Sequence, residues 1–238
     1  MIAGTIARVL ARRGHRVLAL DSDPMPGLAF SLGARPPTEP PLGAMSEGDE
    51  NGRWRRVRGN GPVRAVQRYS TDAPDGVRLL QSGNLGAGGM PAIRGSMIAF
   101  YWVAHRLGQA SHFRTWAIVG DLAAGQRQVA DNWAPYATIF LLVVEPTWKS
   151  ALTAQRIIKI GAREGLTMHP LASKVSADGD RAHVEELLGH PVPAAVPLDP
   201  AVAAAERLGV APIDHSPGSP AMTAIERVVD TLGVPNVS

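Results

Sequence analysis

Apolar and polar positions in the first twenty residues predict a helix followed by a buried strand. The apolar residues recur at the spacing of one helix face: Ile2, Ile6, Val9 and Leu10. Gly14 is a typical helix stop, so the helix is expected to fill roughly residues 2–13. Residues 16–20 then form a nearly continuous apolar run without alternation, as expected of a parallel strand covered on both faces.

Apolar runs and helical patterns keep alternating along the rest of the chain. The predicted strands are residues 76–80, 116–119, 139–144, 166–171 and 192–196, and the predicted helices are residues 98–107, 152–164, 182–188, 202–208 and 222–232. Each return to the same edge of a sheet needs a crossover helix. The pattern therefore predicts a three-layer, doubly wound α/β fold with a mostly parallel sheet.

Length and composition predict a single α/β domain over residues 1–238 with one interruption. Residues 34–62 contain five prolines and five glycines, which favours a mobile surface loop over regular structure. Within it, the arginine cluster at 53–58 could contact nucleic acid or simply be solvated. The glycine cluster at 83–89 indicates a flexible turn rather than an anion site. The aromatic residues 100–102 are expected in the core or on a dimer surface.

Composition excludes several classes of function. The chain has no cysteine, which excludes disulfides, thiolate metal sites and cysteine nucleophiles and favours a cytoplasmic setting. A net charge of +3 is too small to predict nucleic acid as a partner. The longest apolar stretch, around residues 137–144, is far shorter than the ~20 residues of a membrane span.

Polar residues follow three of the predicted strands. Asp21 and Asp23 follow the first strand, Asp121 follows residues 116–119, and Ser173 with Lys174 follows residues 166–171. Ligands of open α/β sheets bind at the carboxyl ends of the strands. Two carboxylates from separate strands suit a hydrated Mg²⁺ and a polyphosphate. The alternative, that these aspartates only cap turns or helices, stays open.

These segments resemble a known family. Residues 1–33 resemble the segment after the phosphate loop of MinD/ParA-type deviant Walker ATPases, closest to the carbon monoxide dehydrogenase maturation branch. The resemblance rests on Asp-Ser-Asp-Pro at 21–24 and Asp-Leu-Ala-Ala-Gly at 121–125, in order and about 100 residues apart. It continues through residues 77–83, 141–147 and 191–199.

The resemblance implies a P-loop ATPase that uses ATP and Mg²⁺. It implies that Asp23 orients the attacking water, that Asp21 lies near the metal, and that Asp121 holds Mg²⁺ through water. It also implies a nucleotide-facing set in the second half of the chain: Ser173, Lys174, Pro197 and Asp199. The expected partners are a second copy of the chain and a protein client, for which a metalloenzyme is one candidate.

Two departures from the family change these expectations. The family's phosphate loop and the strand before it should lie directly ahead of Ile2, so the chain is expected to be truncated at its N-terminus, to fold poorly and to bind ATP weakly. An upstream in-frame reading should then contain the missing motif. The family's Cys-x-Cys pair is also missing from residues 86–94, so nickel handling is not expected.

Two rival functions remain open from the sequence. In a nicotinamide-binding Rossmann protein, Asp21 would bind the ribose hydroxyls. A non-hydrolysing adaptor would keep the fold without turnover. Asp23 and Asp121 favour the ATPase, because a hydrolytic Mg²⁺ site needs them and a nicotinamide site does not.

Overall fold

The structure is a computed structural model that describes residues 1–23, 27–37, 39, 41–51, 53–83 and 89–233, without the side chains of 89–92. The described residues form two compact units. The first consists of residues 1–123 and 133–136, and the second of residues 124–132 and 137–233. The single domain over 1–238 remains a prediction.

The first unit contains a mixed set of helices and strands. Its helices are α1 (Ile2–Arg12), α2 (Leu28–Leu32), α3 (Pro62–Tyr69) and α4 (Gly89–Leu107). Its strands are β1 (Arg16–Asp21), β2 (Ser46–Gly48), β3 (Trp54–Arg56), β4 (Thr71–Asp72), β5 (Arg78–Gln81) and β6 (Trp116–Asp121). Short 3₁₀ helices span Gly43–Met45, Pro74–Gly76 and Ser111–Phe113.

The main sheet of this unit has the strand order β4-β5-β1-β6 among the described residues. Strand β1 pairs in parallel with β5 and β6, and only β4 is antiparallel. Leu18 and Leu20 of β1 point into a core with Phe100 of α4 and Val66 of α3. Successive strand residues point to opposite faces, so the alternate residues of β1 face the side where α1 and α2 lie. The unit is thus a three-layer arrangement of helices on both faces of a mostly parallel sheet, which confirms the predicted α/β class.

Helix α1 is anchored by a buried arginine. The Arg8 side chain is 2% exposed; its Nε donates to Asp75 Oδ2 at 2.5 Å and its Nη1 donates to the carbonyl of Leu32 at 2.7 Å. Gly4 allows α2 to approach, because a Cβ at this position would lie 2.6 Å from the Cβ of Ser31. These contacts fix α1 and α2 on one face of the sheet.

The prediction that residues 34–62 have no regular structure is wrong for part of this segment. Within the described residues, β2 and β3 form an antiparallel hairpin. Leu42 and Met45 are fully buried in the core beside α4. Their burial is a tertiary effect, which the local proline and glycine content cannot reveal.

The arginines of the same hairpin have protein partners. The Arg56 guanidinium stacks on the Trp102 ring at 4.0 Å from its centroid, and Arg106 stacks on that ring at 4.3 Å. Arg55 forms an exposed ion pair with Asp49 at 3.6 Å. Two arginines of the cluster at 53–58 therefore have partners within the protein. Phe100 lies in the core, as predicted.

The second unit is built around a second parallel sheet. Its helices are α5 (Arg127–Ala130), α6 (Trp148–Arg163), α7 (Asp180–Leu188), α8 (Pro200–Leu208), α9 (Pro212–His215) and α10 (Pro220–Thr231). Its strands are β7 (Phe140–Val144), β8 (Met168–Val175) and β9 (Ala194–Pro197), in that order in the sheet. Val144 and Ala172 pack against α6 and α7. No helix in the described part of the chain is long and apolar enough to span a membrane.

Candidate functional site

Three polar side chains form a row across the carboxyl ends of neighbouring strands. In the register of the sheet, Asp21 at the end of β1 is the partner of Asp121 at the end of β6 and of Gln81 at the end of β5. Adjacent strands lie about 4.8 Å apart and paired residues point to the same face. The register therefore brings Asp21, Asp121 and Gln81 together on one face of the sheet.

Asp21 is the buried centre of this row. Its side chain has no solvent exposure. The backbone N–H of Asp23 donates to Oδ1 at 3.1 Å, and that of Leu28, at the start of α2, donates to Oδ2 at 3.1 Å. Burial raises the pKa of Asp21 to about 6; the two N–H bonds oppose this rise, and the charges of Asp121 and Asp23 add to it.

Asp23 and Asp121 belong to the same electrostatic cluster. Burial raises the pKa of Asp121; the amino-terminal charge of Met1 opposes the rise and the Asp23 carboxylate adds to it. Burial, and after it the charge of Asp121, raises the pKa of Tyr136. The Asp23 side chain is half-buried. The Asp23 carboxylate is thus close enough to Asp21 and Asp121 to raise the pKa of both.

Two serines, Ser22 and Ser82, form hydrogen bonds between the strand ends that carry these aspartates. The N–H and Oγ of Ser22 both donate to the Asp121 carbonyl, at 3.0 and 2.9 Å. The Ser82 N–H donates to the Asp21 carbonyl at 2.7 Å, and its Oγ donates to the Asp23 carbonyl at 3.4 Å. These bonds fix the backbone around the carboxylates.

The charge of the cluster fits a hard cation held through water. No group of three or more His, Asp or Glu side chains among the described residues has the geometry of a direct metal cage. Mg²⁺ keeps several waters and usually takes one or two carboxylates. Burial raises the pKa of Asp21 and Asp121, so a cation bound beside them would favour their charged forms. The donor set is therefore compatible with hydrated Mg²⁺.

The other predicted site residues lie in the second unit. Ser173 is buried near the end of β8. Lys174 follows in the left-handed region, with φ of 57°, at an irregularity in the pairing of β8 with β9. Its Nζ forms an ion pair with Glu145 Oε1 at 2.5 Å. Non-glycine residues in this conformation often mark functional sites. The nucleotide contacts of Ser173 and Lys174 remain predictions.

Asp199 and Pro197 follow at the end of β9. The Asp199 carboxylate is 7% exposed and caps α8, because Oδ1 accepts the N–H of Ala201 at 2.9 Å. Its Oδ2 accepts the N–H of Ala221 in α10 at 3.0 Å. These bonds lower the pKa of Asp199, against the opposing effect of burial. Asp199 thus has a structural role, and a nucleotide contact by it or by Pro197 remains a prediction.

Some sequence expectations lie outside the described residues. Pro24 of the Asp-Ser-Asp-Pro motif and residues 84–88 of the glycine cluster belong to this group. Gln81, in contrast, is a described residue that the sequence reasoning did not select. Its signal was its position at the end of a predicted strand, the same signal that selected Asp21.

No protein-family model matches the chain. Carbon monoxide dehydrogenase accessory protein CooC of Rhodospirillum rubrum is 26% identical over 258 residues, which cover 98% of this chain and 94% of the relative. The chain is similar to MinD/ParA-type P-loop ATPases.

Solved structures of MinD/ParA-type ATPases show the same fold. A ParA family ATPase from Chlorobium tepidum matches with a TM-score of 0.74 and 17% identity, over 98% of this chain and 92% of that chain. MinD of Pyrococcus horikoshii, complexed with Mg-ADP, matches with a TM-score of 0.70 and 14% identity, over 98% of this chain and 89% of that chain. The recognition of the MinD/ParA type from sequence is confirmed.

Proposed function

We propose that this protein binds Mg-ATP and hydrolyses it, acting as a nucleotide-dependent dimeric switch on a protein client. One observation carries the proposal: the register that pairs Asp21 with Asp121 at the carboxyl ends of two parallel strands. This edge of an α/β sheet is where such folds bind their ligands. The similarity to MinD/ParA-type ATPases, one of them in complex with Mg-ADP, supports the choice of ligand.

Each aspartate has a distinct proposed role. Asp121 and Asp21 hold the hydrated Mg²⁺, which when bound neutralises charge on the phosphates. The half-buried Asp23 accepts a hydrogen bond from the attacking water and orients it. Phosphoryl transfer needs mainly positioning and charge neutralisation, which these residues can provide.

The rival functions make different demands on the same residues. A nicotinamide site would use Asp21 for ribose hydroxyls and would have no use for Asp121, which the sheet register pairs with it. A non-hydrolysing adaptor would bind nucleotide without using Asp23. The 238 residues contain no Gly-Lys-Thr phosphate loop, so affinity is expected to be low and titrations must reach millimolar nucleotide.

Phosphate release and calorimetric binding test the proposal. We expect the chain to hydrolyse ATP only with Mg²⁺. Asp23→Ala should lower turnover by about 100-fold or more, because water positioning is lost, while ATP still binds. The matched control is Asp178→Ala, which removes an exposed aspartate in the second unit and should leave turnover unchanged.

Any other result of these two measurements would contradict part of the proposal. Turnover that Asp23→Ala leaves unchanged would refute the role of Asp23. ATP binding without hydrolysis in the unaltered chain would favour the adaptor, and saturable binding of NAD instead of ATP would favour the nicotinamide site.

The dimer and the client are the finer parts of the proposal. The dimer rests on the resemblance to MinD/ParA-type switches, and a metalloenzyme client is suggested by the name of the relative, an accessory protein of carbon monoxide dehydrogenase. The absence of cysteine supports a reducing, cytoplasmic compartment. Light scattering should show twice the mass with Mg-ATP and the monomer mass with ADP; one mass in both states would refute the switch.

A further inference from the structure

Gln81 is buried without a hydrogen-bond partner. Its side chain is 1% exposed, and neither Nε2 nor Oε1 has a partner among the described residues. Because both amide atoms are orphaned, exchanging the nitrogen and oxygen positions does not change this result. Buried amides are almost always paired, since an unpaired one loses its hydration without compensation. The Gln81 carboxamide therefore requires a partner that the described residues do not supply.

The position of Gln81 indicates what that partner is. It ends β5 as the register partner of Asp21, so its side chain lies on the same face as the aspartate row. The adjacent Ser82 bonds the Asp21 carbonyl at 2.7 Å and thereby fixes this strand end against β1. Asp21 already takes backbone N–H groups on both oxygens, and Gln81 is not among their donors. The orphaned amide thus adjoins the proposed cation site.

The chemistry of a carboxamide matches water better than a bare cation or a phosphate. The carboxamide offers two N–H donors and an acceptor oxygen. A phosphate or a carboxylate only accepts and would leave the acceptor oxygen unpaired, whereas water can both donate and accept. Buried water typically makes about three hydrogen bonds to otherwise unpaired polar groups. Mg²⁺ in protein sites keeps several of its waters. Water bound between Gln81 and Asp21 would pair the Gln81 amide and would donate to a remaining acceptor site of the Asp21 carboxylate.

We propose that Gln81 is a positioning residue of the candidate site, whose carboxamide holds a water molecule beside Asp21 and thereby orders the hydration shell of the bound cation. This inference rests on the proposed Mg-nucleotide site. It concerns a residue that the resemblance to the ATPase family does not assign. Its role is to act through water, without contact with the nucleotide.

The test compares Gln81→Met with Ser46→Ala in the full 238-residue chain. Ser46 Oγ is also buried without a partner in the described structure, but it lies in the β2-β3 hairpin. Each variant removes one unpaired polar group, so each should raise the Tm of the ligand-free protein. The second measurement is the Kd of ADP, with Mg²⁺ and with EDTA, by calorimetry.

Only Gln81→Met should reduce the effect of Mg²⁺. We expect the gain in ADP affinity on adding Mg²⁺ to fall by about 3- to 10-fold, the value of one or two water-mediated hydrogen bonds, while the Kd in EDTA stays unchanged. Ser46→Ala should keep the full Mg²⁺ gain. A structural role for Gln81 would instead lower the Tm of Gln81→Met and leave the Mg²⁺ gain intact, and this result would overturn the inference.

A crystal structure of the unaltered chain with bound Mg²⁺ and ADP gives a second, variant-independent readout. It should show an ordered water within hydrogen-bond distance of both the Gln81 amide and the Asp21 carboxylate; a dry site there would overturn the inference. If the unaltered chain shows no Mg²⁺ gain, the proposed function itself fails. If it shows the gain and Gln81→Met retains it, only the role of Gln81 fails.

Discussion

The buried carboxylate of Asp21 predicts a loss of stability as pH rises. Its pKa is about 6 in the folded chain against an ordinary value of 3.8. The folded state therefore holds the proton more tightly than the unfolded state, and raising the pH from 3.8 through 6 removes stability. At about 1.4 kcal/mol per pH unit, the loss is about 3 kcal/mol and is complete by about pH 7. That is a large part of a typical stability of ~5–15 kcal/mol.

Asp21→Asn isolates this contribution. The free energy of unfolding is measured by urea denaturation at a series of pH values from 4 to 8, followed by tryptophan fluorescence. In this variant the asparagine NH₂ group will face one of the two backbone N–H groups that donate to Asp21 in the unaltered chain. The free-energy cost of that contact is independent of pH. We therefore expect the difference between variant and unaltered chain to shift by about 2.4 kcal/mol in favour of the variant between pH 4 and pH 7.

The test depends on how the difference in the free energy of unfolding changes with pH, and not on the absolute stability of either protein. A pH-independent difference between the two proteins would refute the raised pKa of Asp21 and with it the uncompensated charge at the sheet edge. Asp178→Asn, at an exposed position, is the control and should reproduce the profile of the unaltered chain. The raised pKa of Asp121 acts in the same direction as that of Asp21, but it is present in both proteins.

Three further substitutions test the structural contacts by urea denaturation. Asp75→Asn should cost about 3 kcal/mol, because it leaves the buried guanidinium of Arg8 without its ion pair; a loss below about 1 kcal/mol would contradict the pairing. Gly120→Ala should cost about 1–3 kcal/mol, since its methyl group would clash with the Tyr136 hydroxyl, and an unchanged free energy of unfolding would show that this contact is wrong. Asp199→Ala should cost about 2 kcal/mol by removing the acceptor for two helix N–H groups; an equally stable variant would argue against its capping role.

Hydrophobic periodicity predicted the regular elements where local and tertiary signals agree. Helix α1 and strand β1 were expected at residues 2–13 and 16–20 and are found at Ile2–Arg12 and Arg16–Asp21. Helix α4 was expected to begin near residue 98, because Gly89 and Pro91 indicate a turn when taken alone. It begins at Gly89. The hairpin of residues 46–56 depends on the burial of Leu42 and Met45 against α4, a contact between distant segments that local composition cannot reveal.

The aspartates of the site were predictable because each ends a recognisable strand. Asp21 and Asp121 could be selected from the sequence, but their direct pairing is a property of the sheet register. Gln81 carried no motif, and only the register and its unpaired amide distinguish it from other glutamines. The second bond of Asp199 likewise has no local signal, because its donor, the Ala221 N–H, is 22 residues away in the chain.

Two groups of carboxylates in this chain differ in the direction of their pKa shifts, and this difference separates structural from functional roles. Asp75 and Asp199 have donors that lower their pKa and so contribute stability at neutral pH. Asp21 and Asp121 have raised pKa values, and the unpaired Gln81 amide lies in the same row. Polar groups that cost stability and gather at a ligand-binding edge are typical of functional sites. Because a bound cation would relieve that cost, Mg²⁺ with ADP should raise the Tm of the unaltered chain more than that of Asp21→Asn; an equal rise would mean that Asp21 does not face the cation.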